Sequence, residues 1–221
     1  MKKIITKDGS PTLFNAEINE HYHSIHGAYT ESKHVFVQAG LEDYRKTYEV
    51  EDVHILEVGF GTGLNLYTTL EFLEEQGGSV TYHSLEAYPL SLEVFGGVGH
   101  EAYVNKEIFS EVVKSYEAVL QEEKKIRSSR LRVFPCKLLE FKADIEYDVV
   151  YFDAFSEIHQ PEMWSEDSLA HLSQYMKAGA FLVTYAITGN LKRRLKGLDF
   201  KIEKLPGAPG KREMLRAIKL K

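Results

Sequence analysis

A chain of 221 residues, 43% hydrophobic and 27% charged, can bury a substantial core and is neither a disordered polymer nor a membrane-embedded protein. Its net charge of −6 argues against a uniformly basic polyanion binder, and its lone cysteine, Cys136, excludes an intrachain disulfide or a cysteine zinc cage. The apolar run near the N-terminus is only Ile4-Ile5, too short for a signal peptide, so a cytoplasmic location with no membrane partner is expected. The charge is unevenly spread. From Lys192 onward the chain is +8, which leaves −14 for everything before it, and a second basic cluster (Lys124, Lys125, Arg127, Arg130, Arg132) lies mid-chain.

The first fifty residues carry short strand-like runs, Thr12-Leu13-Phe14 and His34-Val35-Phe36-Val37. Their Gly, Ser and His content predicts no long helix before about Gln38. A buried strand follows over His54 to Val58, then a glycine turn, then a helix from about Leu64 to Glu75 that Gly77-Gly78 ends. Ser79 to Leu85 reads as a second strand, and Pro89 opens a short helix closed by Gly96-Gly97. Asn105 to Lys125 reads as helical from the spacing of Ile108, Val112, Val113, Tyr116, Val119 and Leu120. Arg130 to Phe134 is strand three. Tyr147 to Phe152 is strand four, nearly continuous in apolar character, as a central strand covered on both faces must be. Glu162 to Met176 reads as helix, Ala180 to Ala186 as strand five, and Thr188 to Lys196 as a helix capped by Thr188. Phe200 to Leu205 and Met214 to Lys219 flank Pro206-Gly207-Ala208-Pro209-Gly210 with no helix between them, which predicts an antiparallel edge hairpin. The alternation predicts an α/β fold with a mostly parallel, seven-stranded sheet.

The chemistry concentrates at strand ends. After strand one the sequence Glu57-Val58-Gly59-Phe60-Gly61-Thr62-Gly63-Leu64-Asn65 removes three Cβ atoms from a strand-turn-helix corner, so a ligand can lie against the backbone. A dinucleotide fingerprint would be Gly-x-Gly-x-x-Gly; here the third glycine arrives one residue early, with a carboxylate two residues before the first. That variant resembles the first motif of Rossmann-like S-adenosylmethionine methyltransferases, in which the acid and the glycine turn hold the methionine end of the cofactor. Glu86 ends strand two, where α/β nucleotide folds hydrogen-bond the two ribose hydroxyls. Asp153 ends strand four and would overhang the same crevice.

Taken together, the chain resembles the methyltransferase module of the bacterial enzyme that completes 5-methylaminomethyl-2-thiouridine at the tRNA wobble position. The resemblance rests on His21 to Phe36, Glu57 to Asn65, Glu86-Ala87-Tyr88-Pro89-Leu90, Asp153-Ala154-Phe155-Ser156 through Pro161-Glu162-Met163-Trp164-Ser165, and Gly210 to Arg216. These blocks run in order along nearly the whole chain. The resemblance implies a Rossmann-like S-adenosylmethionine-dependent methyltransferase fold in one domain, 1–221. Residues 1–50 would be an N-terminal extension packing on or over the cofactor and substrate site, and 51–221 the core. It implies S-adenosyl-L-methionine as cofactor, held by Glu57, Gly59, Gly61, Gly63, Asn65, Glu86, Cys136 and Asp153. Cys136 stands where the family usually has an aspartate near the adenine. Many members carry a fused flavin-dependent oxidase domain, for which 221 residues leave no room. A stand-alone transferase is therefore expected, with a separate enzyme supplying the aminomethyl intermediate.

The implied reaction moves a methyl group from a sulfonium to a primary amine on a wobble uridine of tRNA. Asp153 would aim the amine and take its proton, with no metal required. Phe155, Trp164 and Tyr185 are candidate stacking faces, Tyr22, Ser24 and Glu31 candidate contacts from the N-terminal block, and Lys211 and Arg212 candidate substrate contacts. Phosphate contacts from Lys192, Arg193, Arg194, Lys211 and Arg212 would anchor the anticodon stem-loop. His21, His23, His26 and His34 fit no common zinc spacing. The other readings are a related transferase acting on a small molecule, a nicotinamide dehydrogenase, which the glycine spacing disfavours, and a catalytically silent RNA-binding adaptor.

Overall fold

The computed structural model describes residues 1–221. Strands β1 (Lys2–Ile5), β2 (Pro11–Asn15) and β3 (Glu20–His21) form a small antiparallel sheet of their own. One helical rod follows, made of α1 (Ala28–Glu31), a π-helical stretch (Ser32–Glu42) and α2 (Asp43–Tyr48). The expectation of no long helix before Gln38, with a strand at His34 to Val37, is therefore wrong. Ala28, Ser32, Phe36, Gly40, Tyr44 and Tyr48 recur every fourth residue, a repeat slightly too long for 3.6 residues per turn, and the widened turns keep them on one face. Gly40 lets this rod press on the main sheet: a Cβ there would lie 3.0 Å from the Tyr151 and Val183 side chains.

The main sheet begins with β4 (Asp52–Val58), followed by α3 (Leu64–Gln76), β5 (Ser79–Leu85), α4 (Leu92–Gly97) and α5 (Lys106–Val119). Asn105 accepts the Glu107 and Ile108 N–H groups to start α5, which buries Ile108, Val112, Tyr116 and Val119. The chain then makes a hairpin of β6 (Lys124–Ile126) and β7 (Ser129–Phe134), turning at Arg127 with φ 56°. Lys124 and Lys125 are thus in a strand, since the apolar stripe that defines the helix ends at Leu120. After β8 (Tyr147–Phe152) come α6 (Glu166–Ser173) and β9 (Met176–Thr184), so Met176 opens a strand and does not end a helix. Helix α7 (Gly189–Gly197) is capped by the Thr188 hydroxyl as expected, and β10 (Phe200–Pro206) and β11 (Glu213–Lys219) form the antiparallel edge hairpin.

The strand order is β10-β11-β9-β8-β4-β5-β7-β6, eight strands where seven were expected, because β6 adds an antiparallel edge. From β9 through β8, β4 and β5 to β7 the pairing is parallel. The chain order reverses between β4 and β8, which opens a crevice beyond their carboxyl ends. All six residues of β8 are buried. One apolar cluster, with Phe36, Tyr67, Phe95, Tyr116 and Tyr151, packs on one face of the sheet. A second, with Leu56, Phe152, Trp164, Leu182 and Leu191, packs on the other.

Candidate active site

Beyond β4 the backbone passes through Gly59 (φ 96°), Gly61 (φ 51°) and Gly63 (φ 75°) before α3 begins. Each sits in the left-handed region that glycine alone enters readily. Gly59 also needs its missing side chain: a Cβ would lie 2.5 Å from the Asp153 carbonyl oxygen. This close approach joins the tips of β4 and β8, where Asp153 N–H donates to the Val58 carbonyl at 3.0 Å. Glu86, at the tip of β5, holds the loop from the other side. Its two oxygens accept from Gly61 N–H (2.9 Å) and Tyr88 N–H (3.0 Å), and each retains a lone pair for a further donor. Phe134 O accepts from both Glu86 N–H and Cys136 N–H, so Cys136 lies beside the same strand tip, half-buried, its thiol pushed up by burial and then by the Glu140 charge.

Under the loop lies a buried polar network. Register pairs Glu57 with Ser84 across β4 and β5, and the Ser84 hydroxyl donates to Glu57 Oε2 at 2.8 Å. Asn65 Nδ2 donates to both Glu57 Oε1 (3.0 Å) and Asp153 Oδ2 (2.8 Å), while Asn65 Oδ1 accepts from Ser32 Oγ at 2.7 Å. These partners fix which end of the amide faces the acids. Burial lifts the Glu57 carboxyl to about 8, against the pull of its Ser84 and Asn65 hydrogen bonds. Asp153 rises to about 7, first through burial and then through the Glu31 charge, with Asn65 and Lys211 pulling it down. Two such carboxyls bridged by one neutral amide suit a ligand that carries positive charge.

The opposite wall comes from distant parts of the chain. Glu31 accepts Ser24 N–H at 2.8 Å and Lys211 Nζ at 2.7 Å, and that ammonium lies 3.9 Å from the centre of the Tyr185 ring. Tyr185 donates its hydroxyl to the Ala154 carbonyl at 2.9 Å. Glu20 accepts both Ser156 N–H and Ser156 Oγ at 3.0 Å. The Tyr22 ring meets Phe155 edge-on at 5.1 Å and covers Gly61, where a Cβ would lie 2.8 Å from it.

The crevice therefore gathers Glu57, Gly59, Gly61, Gly63, Asn65, Glu86, Asp153, Tyr22, Glu31, Phe155, Tyr185 and Lys211. Ser24 contributes its backbone N–H, its hydroxyl being used by His26 N–H, and Arg212 is exposed on the β10–β11 loop. Trp164 does not offer a stacking face. It is 1% exposed, packs edge-on against Phe152 and donates Nε1–H to the Phe155 carbonyl, because its large ring is needed to fill the core beneath α6. Sequence reasoning missed Glu20, Ser32 and Ser84. Only Ser84 carried a signal, as the residue beside Glu57 once the parallel strands are set in register. The four N-terminal histidines do not converge: His23 bonds Thr12 and His34 bonds the Pro206 carbonyl.

The parallel sheet reversing at β4/β8, with a glycine loop and acids at three strand tips, defines the class as a Rossmann-like α/β methyltransferase. A family model described as S-adenosyl-L-methionine-dependent methyltransferase matches residues 103–220, and the chain belongs to that family. It is similar to the tRNA 5-methylaminomethyl-2-thiouridine biosynthesis bifunctional protein MnmC of Leptospira interrogans, at 30% identity covering 96% of this chain and 34% of that protein. The protein of the same name from Campylobacter fetus is 27% identical over 93% of this chain and 34% of its own length. The chain thus spans about a third of the length of these curated relatives. Among solved structures, MNMC2 from Aquifex aeolicus superposes with a TM-score of 0.80 at 28% identity, covering 100% of this chain and 70% of that one. No helix is long and apolar enough to cross a membrane.

Proposed function

We propose that this methyltransferase N-methylates the 5-aminomethyl group of the wobble uridine or 2-thiouridine of tRNA, giving 5-methylaminomethyl-2-thiouridine where the base already carries the 2-thio group. It would act in the cytoplasm on an intermediate that a separate enzyme supplies. The observation that carries this reading is the match of nearly the whole chain to proteins whose name states that nucleoside. Residues 51–221 form the transferase core, and residues 1–50 an extension that closes the site with Tyr22, Ser24 and Glu31.

S-adenosyl-L-methionine fits the crevice. Glu86 keeps free lone pairs at the loop for hydroxyl donors, and the Glu57–Asn65–Asp153 network offers negative charge to a positive centre. Glu57, Asn65 and Gly59, Gly61 and Gly63 would hold the methionine end, Glu86 the ribose, and Cys136 would lie near the adenine. The bound group supplies a methyl already activated by the positive sulfur beside it. The chain's own residues must present a neutral amine, because an ammonium has no lone pair. Asp153 accepts a hydrogen bond from the amine and takes its proton, which a carboxyl lifted to about 7 does near neutral pH. Lys211, placed against Glu31, offsets the acids that would otherwise favour the ammonium form. Phe155 and Tyr185 border the opening as stacking faces. The wobble base lies in a single-stranded loop, so extruding it costs less than flipping a paired base. The test is nucleoside mass spectrometry of tRNA carrying the aminomethyl intermediate after incubation with the protein and its cofactor.

A further inference from the structure

The eleven basic residues from Lys192 onward look like one block in sequence, and the fold divides them. Arg194 is taken by Glu157 and the Trp164 carbonyl, Arg216 by Asp43 and Glu203, Lys201 by Glu203, and Lys211 by Glu31. Lys219 donates to the Ser173 and Met176 carbonyls. Lys192, Arg193 and Lys196 have no carboxylate partner, and Arg193 is held only by Asn190. With Gly189 they fall at i, i+3, i+4 and i+7, one face of α7. That face, together with Ile202 and Lys204 of β10, lines an open groove of about 380 Å³. Lys204 lies 3.8 Å from Glu213.

Direction matters as well. Helix α7 starts just after the crevice end of β9, and β10 runs parallel to β9, so Gly189 and Lys204 stand at the crevice rim. The groove descends from there for about 10 Å along α7. The mid-chain basic cluster is different. Arg127 is ringed by Glu74, Glu107 and Glu111, Lys124 pairs with Glu122 and Arg130 with Glu123. Another open hollow, lined by Lys106, Glu107, Ser110, Glu111, Lys114 and Arg127, mixes both signs. On a chain that is acidic before Lys192, the α7–β10 groove is an unneutralised basic track that begins at the rim of the site.

We propose that this groove binds the phosphodiester backbone of the anticodon stem-loop and so aims the wobble base into the crevice, an inference that rests on the substrate reading above. Arg194 and Lys211 are not part of it. Their charge is already paired inside the protein, with Glu157 and Glu31.

Filter binding of an anticodon stem-loop RNA across a salt series tests the proposal. The variant Arg193→Glu/Lys196→Glu is compared with Lys106→Glu/Lys114→Glu, which changes net charge equally on the mixed surface. The groove variant should bind about tenfold more weakly at low salt, with a log–log salt slope shallower by roughly 1.4, two phosphate contacts at about 0.7 each. It should keep wild-type affinity for S-adenosylmethionine and wild-type turnover of the free 5-aminomethyl-2-thiouridine nucleoside, while the control variant should bind RNA almost normally. Equal affinity and slope in the two variants would overturn the groove and leave the substrate reading intact. Groove-dependent RNA binding without methyl transfer to any wobble uridine would support the track and overturn the substrate reading alone. No RNA binding by the wild type at low salt would overturn both.

Discussion

On the β4–β5 side of the crevice the acids and the glycines come from one stretch, residues 57–86, and β-sheet register alone brings Glu57 beside Ser84. The other side is assembled from Glu20 and Glu31 near the start of the chain, Asp153 and Tyr185 at two strand ends, and Lys211 near the finish. The Glu31–Lys211 contact spans 180 positions and the Glu20–Ser156 contact 136. The first side exists as soon as the sheet does. The second exists only when the N-terminal block and the β10–β11 loop dock over it. A site divided this way should also divide functionally, with affinity for the cofactor set by the local side and turnover by the assembled one.

The sharpest way to break that division is Asp153→Asn, which keeps the shape and removes the proton acceptor. Methyl transfer should fall by roughly 10²-fold or more, with a much smaller loss of cofactor affinity. A folded variant with near-normal single-turnover rates would show that the amine finds its base elsewhere. On the local side, Glu86→Ala removes an acceptor for the ribose and releases the Gly61 and Tyr88 N–H groups. Cofactor binding should weaken by about 1.5–3 kcal/mol, the scale of a hydrogen bond to a charged group. Wild-type affinity by calorimetry would remove the ribose assignment.

This contrast also explains what the sequence disclosed. The glycine loop, Glu57, Glu86 and Asp153 were legible because strand, turn and acid follow one another locally, and the parallel core follows from alternating periodicities. The helical rod at 28–48 was not legible. Val35 and Val37 are β-branched and read as strand, while the fourfold repeat from Ala28 to Tyr48 fits no regular α-helical stripe. Glu20 gave no sign of its place, since a carboxylate in a short surface strand becomes informative only when Ser156 is brought to it. Trp164 misled for a related reason: an aromatic near a site motif serves either core or ligand, and burial decided for the core.

A gentler test uses pH. Glu57 and Asp153 have folded values of about 8 and about 7, above their ordinary values, while burial lowers His23 to about 4 and His100 to about 3 and offsets them below about pH 6.5, so the ligand-free protein holds more protons than the unfolded chain mainly between roughly pH 6.5 and 8. Its stability should therefore fall as pH rises through 7 to 8. A cationic ligand favours the ionised acids, so cofactor affinity should rise several-fold from pH 6.5 to 8.5, with protons released on binding. Calorimetry in buffers of different ionisation enthalpy measures that release; a pH-independent affinity with no proton exchange would mean that the pair stays in one charge state throughout.

The central claim is tested most directly by nucleoside mass spectrometry of tRNA bearing 5-aminomethyl-2-thiouridine, treated with the purified protein and methyl-labelled S-adenosylmethionine. The account predicts labelled 5-methylaminomethyl-2-thiouridine at the wobble position with the wild type and almost none with Asp153→Asn. Label on another nucleoside or on a small molecule only, or equal labelling by the two proteins, would contradict it.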